Sequence, residues 1–152
     1  MLRQLRTATL SILLGALPLG SVVAQLPGIG LGAGVRYAAP SGDFGNALDP
    51  GYGGYLKAEV GALLIGVAAE ANLTRFGGAG TADDVTVFGI QAGPRLSLGL
   101  LKAGLDIGWY SEVEETGYTP SLSLGLGPLE GGAGITFFDG GRWVFLRAGV
   151  RF

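Results

Sequence analysis

Leu101-Lys102-Ala103-Gly104-Leu105-Asp106-Ile107-Gly108-Trp109-Tyr110 is the stretch on which the fold turns. Its odd positions read Leu, Ala, Leu, Ile and Trp; its even positions read Lys, Gly, Asp, Gly and Tyr. Side chains alternate across a strand with period two, so this is a strand with one apolar and one polar face. The same period runs on both sides of it. In 64–76, Ile65, Val67, Ala69, Ala71 and Leu73 oppose Gly66, Ala68, Glu70, Asn72 and Thr74. From Val85, Phe88, Ile90, Ala92, Pro94 and Leu96 oppose Gly89, Gln91, Gly93, Arg95 and Ser97. Further on, Leu122, Leu124 and Leu126 oppose Ser121, Ser123 and Gly125, and Val144, Leu146, Ala148, Val150 and Phe152 oppose Phe145, Arg147, Gly149 and Arg151.

Weaker alternation at 28–39, 54–61 and 129–138 brings the strand count to eight. Segments 40–53, 77–84, 112–117 and 139–142 carry Pro, Gly, Asp and Asn and read as loops, whereas 61–63, 98–100 and 127–128 are minimal turns. Long and short connections alternate, so an antiparallel up-and-down arrangement gathers all four loops at one end.

Composition narrows the class. Of 152 residues, 30 are glycine, 14% are charged and 48% are apolar, with no cysteine and no histidine. The glycines follow no three-residue period, which excludes collagen. Thiolate or imidazole metal sites, disulfides and histidine bases are all impossible. The Gly28-x-Gly30-x-Gly32-x-Gly34 run lies within one strand face and lacks the following helix that a dinucleotide fingerprint requires. Basic residues are dispersed along the chain, so no nucleic-acid footprint is expected.

The first 24 residues read as a secretory signal peptide: Arg3 and Arg6, an apolar run from Leu10 to about Leu19, and Val22-Val23-Ala24 before a cleavage site at Gln25. Residues 25–152 then form one domain. Losing Arg3 and Arg6 from ten basic residues leaves eight against twelve acidic ones.

Alternation permits two opposite barrels. In a soluble periplasmic ligand- or lipid-binding barrel the apolar face turns inward. In a membrane barrel it turns outward, and the polar face lines a narrow interior. Side-chain size favours the second. The polar faces are Gly and Ser with isolated long charges, which suits a lumen with room for few large groups. The chain therefore reads as an all-β, eight-stranded antiparallel up-and-down transmembrane β-barrel. The lumen candidates Arg36, Lys57, Arg95, Lys102, Arg147 and Arg151 face Glu59, Glu70, Asp106 and Glu130, a set expected to pair, since charges in a low-dielectric interior need partners. Tyr37, Tyr55, Phe76, Phe88, Trp109, Tyr110, Tyr118, Phe137, Phe138 and Trp143 fall at the loop ends of their strands, and are expected to form a ring at one membrane interface.

These residues resemble the small outer-membrane barrel family, the OmpA-like and opacity-type barrels. Three features carry the resemblance: the start Gly28–Ala39 followed by Pro40-Ser41-Gly42-Asp43-Phe44-Gly45, the eight alternating segments, and the end Val144-x-Leu146-x-Ala148-x-Val150-x-Phe152. The resemblance implies a place in the outer membrane of a Gram-negative-type envelope, among its lipid and lipopolysaccharide. It also implies that Val150 and Phe152 belong to a C-terminal signal read by the barrel-assembly machinery. No peptidoglycan-binding domain is expected to follow, and the histidines of barrel lipases, acyltransferases and proteases are missing.

A structural or surface-interaction role without catalysis or cofactor is expected, with a narrow porin-like channel or a soluble barrel as alternatives. Asp83 and Asp84, with Glu112, Glu114 and Glu115, are candidate oxygen ligands for weak divalent-cation binding.

Overall fold

The computed structural model describes residues 28–113 and 115–152. The expected signal peptide lies outside them, as does Glu114. Eight antiparallel strands close into one barrel in chain order. They are β1 (Ile29–Gly42), β2 (Leu48–Ala62), β3 (Ile65–Gly78), β4 (Val85–Leu98), β5 (Leu101–Tyr110), β6 (Glu115–Leu126), β7 (Leu129–Phe138) and β8 (Gly141–Arg151), and a short helix α1 (Asp43–Ala47) joins β1 to β2. Closure matters because glycine weakens a strand: it offers no side chain to pack and costs backbone entropy. In a closed barrel every strand has two hydrogen-bonded neighbours and no edge remains.

The register fixes the geometry. From Arg75 on β3, the pairing row passes Tyr52, Tyr37, Leu146, Ala133, Leu122, Ala103 and Leu96 on the successive strands, and returns to β3 at Ile65. One circuit therefore displaces the register by ten residues, from Arg75 to Ile65, toward the turn end. That stagger tilts the strands by about 40° to the barrel axis.

The strands reach further than composition predicts. The expected loop 40–53 is mostly strand and helix, since β1 pairs with β8 as far as Gly42↔Gly141 and β2 begins at Leu48. Among the described residues only 79–84, 111–113 and 139–140 remain as the other connections at that end. Ladder pairing overrides the turn chemistry of Gly, Pro and Asp there. Prolines are accommodated where a ladder lapses. Pro50 lies in the register shift between Leu48 and Gly51. Pro94 pairs with Val67 on β3 but falls between the Ala92↔Ile107 and Arg95↔Gly104 pairs on its β5 side. Pro120 likewise pairs with Leu105 and falls between Tyr118↔Phe137 and Ser121↔Gly134. Each of these three prolines thus sits where its missing N–H is not called on by a neighbouring strand.

At the opposite end three two-residue turns join the strands: Leu63-Leu64, Gly99-Leu100 and Gly127-Pro128. The first residue of each has positive φ, 56° at Leu63, 67° at Gly99 and 61° at Gly127. Positive φ at the first turn position matches the twist of a hairpin and favours glycine there, so Leu63 alone is strained.

Candidate functional site

The interior is polar and the outer wall is apolar. Strand parity sends Glu70, Asn72 and Thr74 inward beside Ala68, and sends Ile65, Val67 and Leu73 outward. The same inversion holds on β5, where Asp106 is 1% exposed while its neighbours Leu105 and Ile107 are 50% and 66% exposed.

The ten lumen candidates take the following positions. Arg36, Lys57, Glu70, Arg95, Asp106, Glu130 and Arg147 are buried, and Glu59, Lys102 and Arg151 are half-buried toward the turn end. Arg95 forms two parallel bonds to Asp106, Nη1 to Oδ1 at 2.6 Å and Nη2 to Oδ2 at 2.8 Å. Gly104 makes room for this pair: a Cβ there would lie 2.6 Å from Arg95 Nη1. The remaining groups except Arg151 form one chain. Lys102 donates to Glu59, and Lys57 lies 3.8 Å from Glu59 and donates to Glu130. Arg147 sits 3.8 Å from Glu130 and donates to Glu70 Oε2 at 2.5 Å. Glu70 also accepts from Gln91 Nε2 at 3.1 Å and faces Arg36 at 3.8 Å. Tyr110 donates to Gln91 Oε1 at 2.7 Å, and Thr119 donates to Thr136 at 3.0 Å.

Six cations meet four carboxylates, so pairing is not one to one. Two arginines lean on aromatic faces as well: Arg36 lies 4.4 Å from the Phe145 centroid and Arg147 5.5 Å from that of Tyr55. Arg151 has no carboxylate within 4 Å among the described residues. It lines a cavity of about 390 Å³ at the turn end with Glu59, Ser97 and Phe152. At the C-terminus, the Phe152 N–H donates to the Leu31 carbonyl at 2.8 Å, while Val144, Leu146 and Val150 face outward.

The aromatic ring divides in two. Phe76, Tyr110 and Trp143 are buried inside the loop end, together with Phe145, which sequence reasoning missed. Phe138 packs on Trp143 with centroids 4.4 Å apart, and Phe44 of α1 packs 5.5 Å from Phe138 and 6.0 Å from Trp143. This cluster closes the lumen at its loop end. Tyr55 is also interior. Parity carried the signal: Tyr110 shares the face of Asp106 and Gly108, and Phe76 that of Glu70 and Thr74. Proximity to the loops alone does not separate them.

The outward set is Tyr37, Tyr52, Phe88, Trp109, Tyr118 and Phe137, one each on β1, β2, β4, β5, β6 and β7. The two strands without one, β3 and β8, present Arg75 and Arg142 instead. Each step along a pairing row drops about 3 Å toward the turn end, and each residue along a strand changes height by about 2.5 Å. On that scale the six aromatics and two arginines fall within a band about 7 Å tall. They form a girdle.

Among the described residues no group of three carboxylates is placed to hold a metal ion. Asp84 instead accepts from Arg75 Nη2 at 2.8 Å and from the Gly78 N–H at 3.3 Å. The Arg75 hydrogen bond, then that of Gly78, holds the Asp84 carboxyl below its ordinary range.

No family model and no curated protein matches the chain. Solved structures do. The chain resembles Neisserial surface protein A (NspA) with a TM-score of 0.53 and 16% identity, over 81% of this chain and 95% of that one. It resembles Ail, the attachment invasion locus protein of Yersinia pestis, with a TM-score of 0.54 and 18% identity, over 84% of this chain and all of that one, 100%. These likenesses show the fold, a small closed eight-stranded antiparallel barrel.

Proposed function

We propose that the chain is an integral barrel of the outer membrane of a Gram-negative-type envelope, closed to solutes and non-catalytic, with a structural role. The observation that carries this reading is the inverted polarity. A water-soluble barrel would leave Val35, Leu56, Ile107 and some twenty other large apolar side chains facing water while burying seven charged ones. Apolar burial is worth about 25 cal/mol per Å², so only a lipid surround makes that outer wall favourable. The soluble alternative has no such support.

Against a channel stands the aromatic closure around Trp143, stacked above a lumen filled by ion pairs. Against catalysis stands the charge arrangement. Each lumen carboxylate has a cation within 4 Å, and the chain has no histidine to act as a base. NspA and Ail are by name a surface protein and an attachment and invasion protein. Here the described connections 79–84, 111–113 and 139–140 leave little material beyond the barrel rim. That brevity favours envelope integrity over adhesion. Export through residues 1–24, insertion by the barrel-assembly machinery through Val150 and Phe152, and contact with outer-membrane lipid and lipopolysaccharide complete the reading.

Cell fractionation tests it. The mature protein is expected in the outer-membrane fraction, with heat-dependent migration in detergent gels; a soluble periplasmic species overturns the proposal.

A further inference from the structure

Within the girdle, Arg75 and Arg142 are not equivalent. Each heads a pairing row that descends across two outward aromatics: Arg75, Tyr52, Tyr37 on one side, and Arg142, Phe137, Tyr118 on the other. The rings within each row touch, Tyr37 with Tyr52 at 5.2 Å and Tyr118 with Phe137 stacked at 5.0 Å and 17°.

The two arginines also stand at one height. From Arg75 the row falls about 6 Å to Tyr37; four residues up β1, from Tyr37 to Ser41, regain about 10 Å; one step from Ser41 to Arg142 falls about 3 Å. The difference is about 1 Å. What separates the two is their partner. Arg75 is engaged by Asp84. Arg142 has no carboxylate within 4 Å among the described residues, and its Nε donates only to Ser41 Oγ at 3.2 Å. An exposed guanidinium beside a hydroxyl, above a stacked aromatic pair, presents fixed donors to an anion and an apolar shelf to the chain beneath it.

We propose that Arg142 and Ser41, with Phe137 and Tyr118 below them, form a site for the phosphate group of an outer-leaflet lipid. The proposal rests on the membrane reading above and deepens it, because it assigns lipid contact to a direct arginine bond and not to a divalent cation bridging acidic loops. The guanidinium binds phosphate through two N–H donors, and the hydroxyl of Ser41 adds a third. The acyl chains lie along the stacked rings, whose amphipathic edges suit headgroup depth.

The test uses residues 25–152 refolded in a phosphate-free maltoside detergent and titrated with short-chain phosphatidic acid while amide and arginine Nε–H resonances are followed. Saturable shifts at Ser41, Phe137 and Arg142 are expected, weakened at least about tenfold in Arg142→Gln and largely retained in Arg142→Lys. Arg75→Gln is expected to leave them unchanged. Shifts that are non-saturable, or equal in Arg142→Gln, overturn the site. Inorganic phosphate binding as tightly as the lipid overturns its assignment to lipid. A chain that folds without detergent overturns the membrane reading itself, an outcome distinct from a folded barrel without lipid-specific shifts.

Discussion

Asp106→Asn isolates the best-formed ion pair in the lumen. Asp106 and Arg95 have side chains 1% and 3% exposed and share two parallel bonds, and neither belongs to the chain that links Lys102 to Glu70. The substitution keeps the shape and removes the charge. Arg95 then faces only uncharged acceptors, the one remaining amide oxygen and the carbonyls of Pro94 at 3.0 Å and Gly93 at 3.5 Å. Breaking a buried pair by removing one partner costs about 3–5 kcal/mol, chiefly because the other charge stays buried and uncompensated. With a urea slope of about 2 kcal/mol per M, the unfolding midpoint is expected to fall by about 2 M. Trp109 on the outer wall and Trp143 in the aromatic closure report the transition by fluorescence in lipid vesicles. The double variant Arg95→Met, Asp106→Leu removes both charges and is expected near the wild type, since an apolar replacement of a buried pair is often neutral. An Asp106→Asn midpoint unchanged within error would refute the reasoning, as it would mean that lumen water already screens the pair.

Three further outcomes follow from local geometry. Leu63→Gly relieves the positive φ at the first turn and is expected to stabilise the barrel by up to about 1 kcal/mol in the same unfolding assay; a loss of stability contradicts the strain. Asp84 has a depressed carboxyl, so its contribution is present above the ordinary carboxylate value of about 4 and is lost as pH falls through the lowered value. Hydrogen exchange at the Gly78 amide, corrected for the intrinsic pH dependence, is accordingly expected to gain speed below that range in the wild type and to be fast throughout in Asp84→Ala, which removes the acceptor. Deleting Phe152 removes the bond to the Leu31 carbonyl and the last outward-alternating position, and is expected to lower the amount of barrel recovered in outer membranes; undiminished recovery speaks against an assembly role.

The eight strands and their inward and outward faces were legible from sequence because alternation is a direct image of the pleat. Asp106 between Leu105 and Ile107 suffices to orient β5. The strand ends were not legible, because Pro40, Gly42 and Pro50 carry turn chemistry while the ladders at the barrel mouth continue through or beside them. Turn propensity is local, and strand pairing is not. The aromatic residues show the same limit from another side. Counting distance to the loop places Tyr110 and Trp109 together, but only parity puts one in the lumen closure and the other in the girdle. Helix α1 had no signal at five residues: Gly45 weakens its helical propensity, and packing of Phe44 against Phe138 and Trp143 holds it in place. Individual ion pairs were equally hidden. Lys57 and Glu130 are 73 positions apart and meet only because the barrel closes.

The central claim is that the apolar wall faces lipid. The chain has no cysteine, so Ile107→Cys and Leu122→Cys each provide a single labelling position on that wall. Spin labels at these positions, in the barrel reconstituted into phospholipid vesicles, are expected to collide readily with lipid-dissolved oxygen and rarely with a water-soluble nickel chelate. The reverse accessibility, with high nickel collision and little oxygen contact, would contradict it.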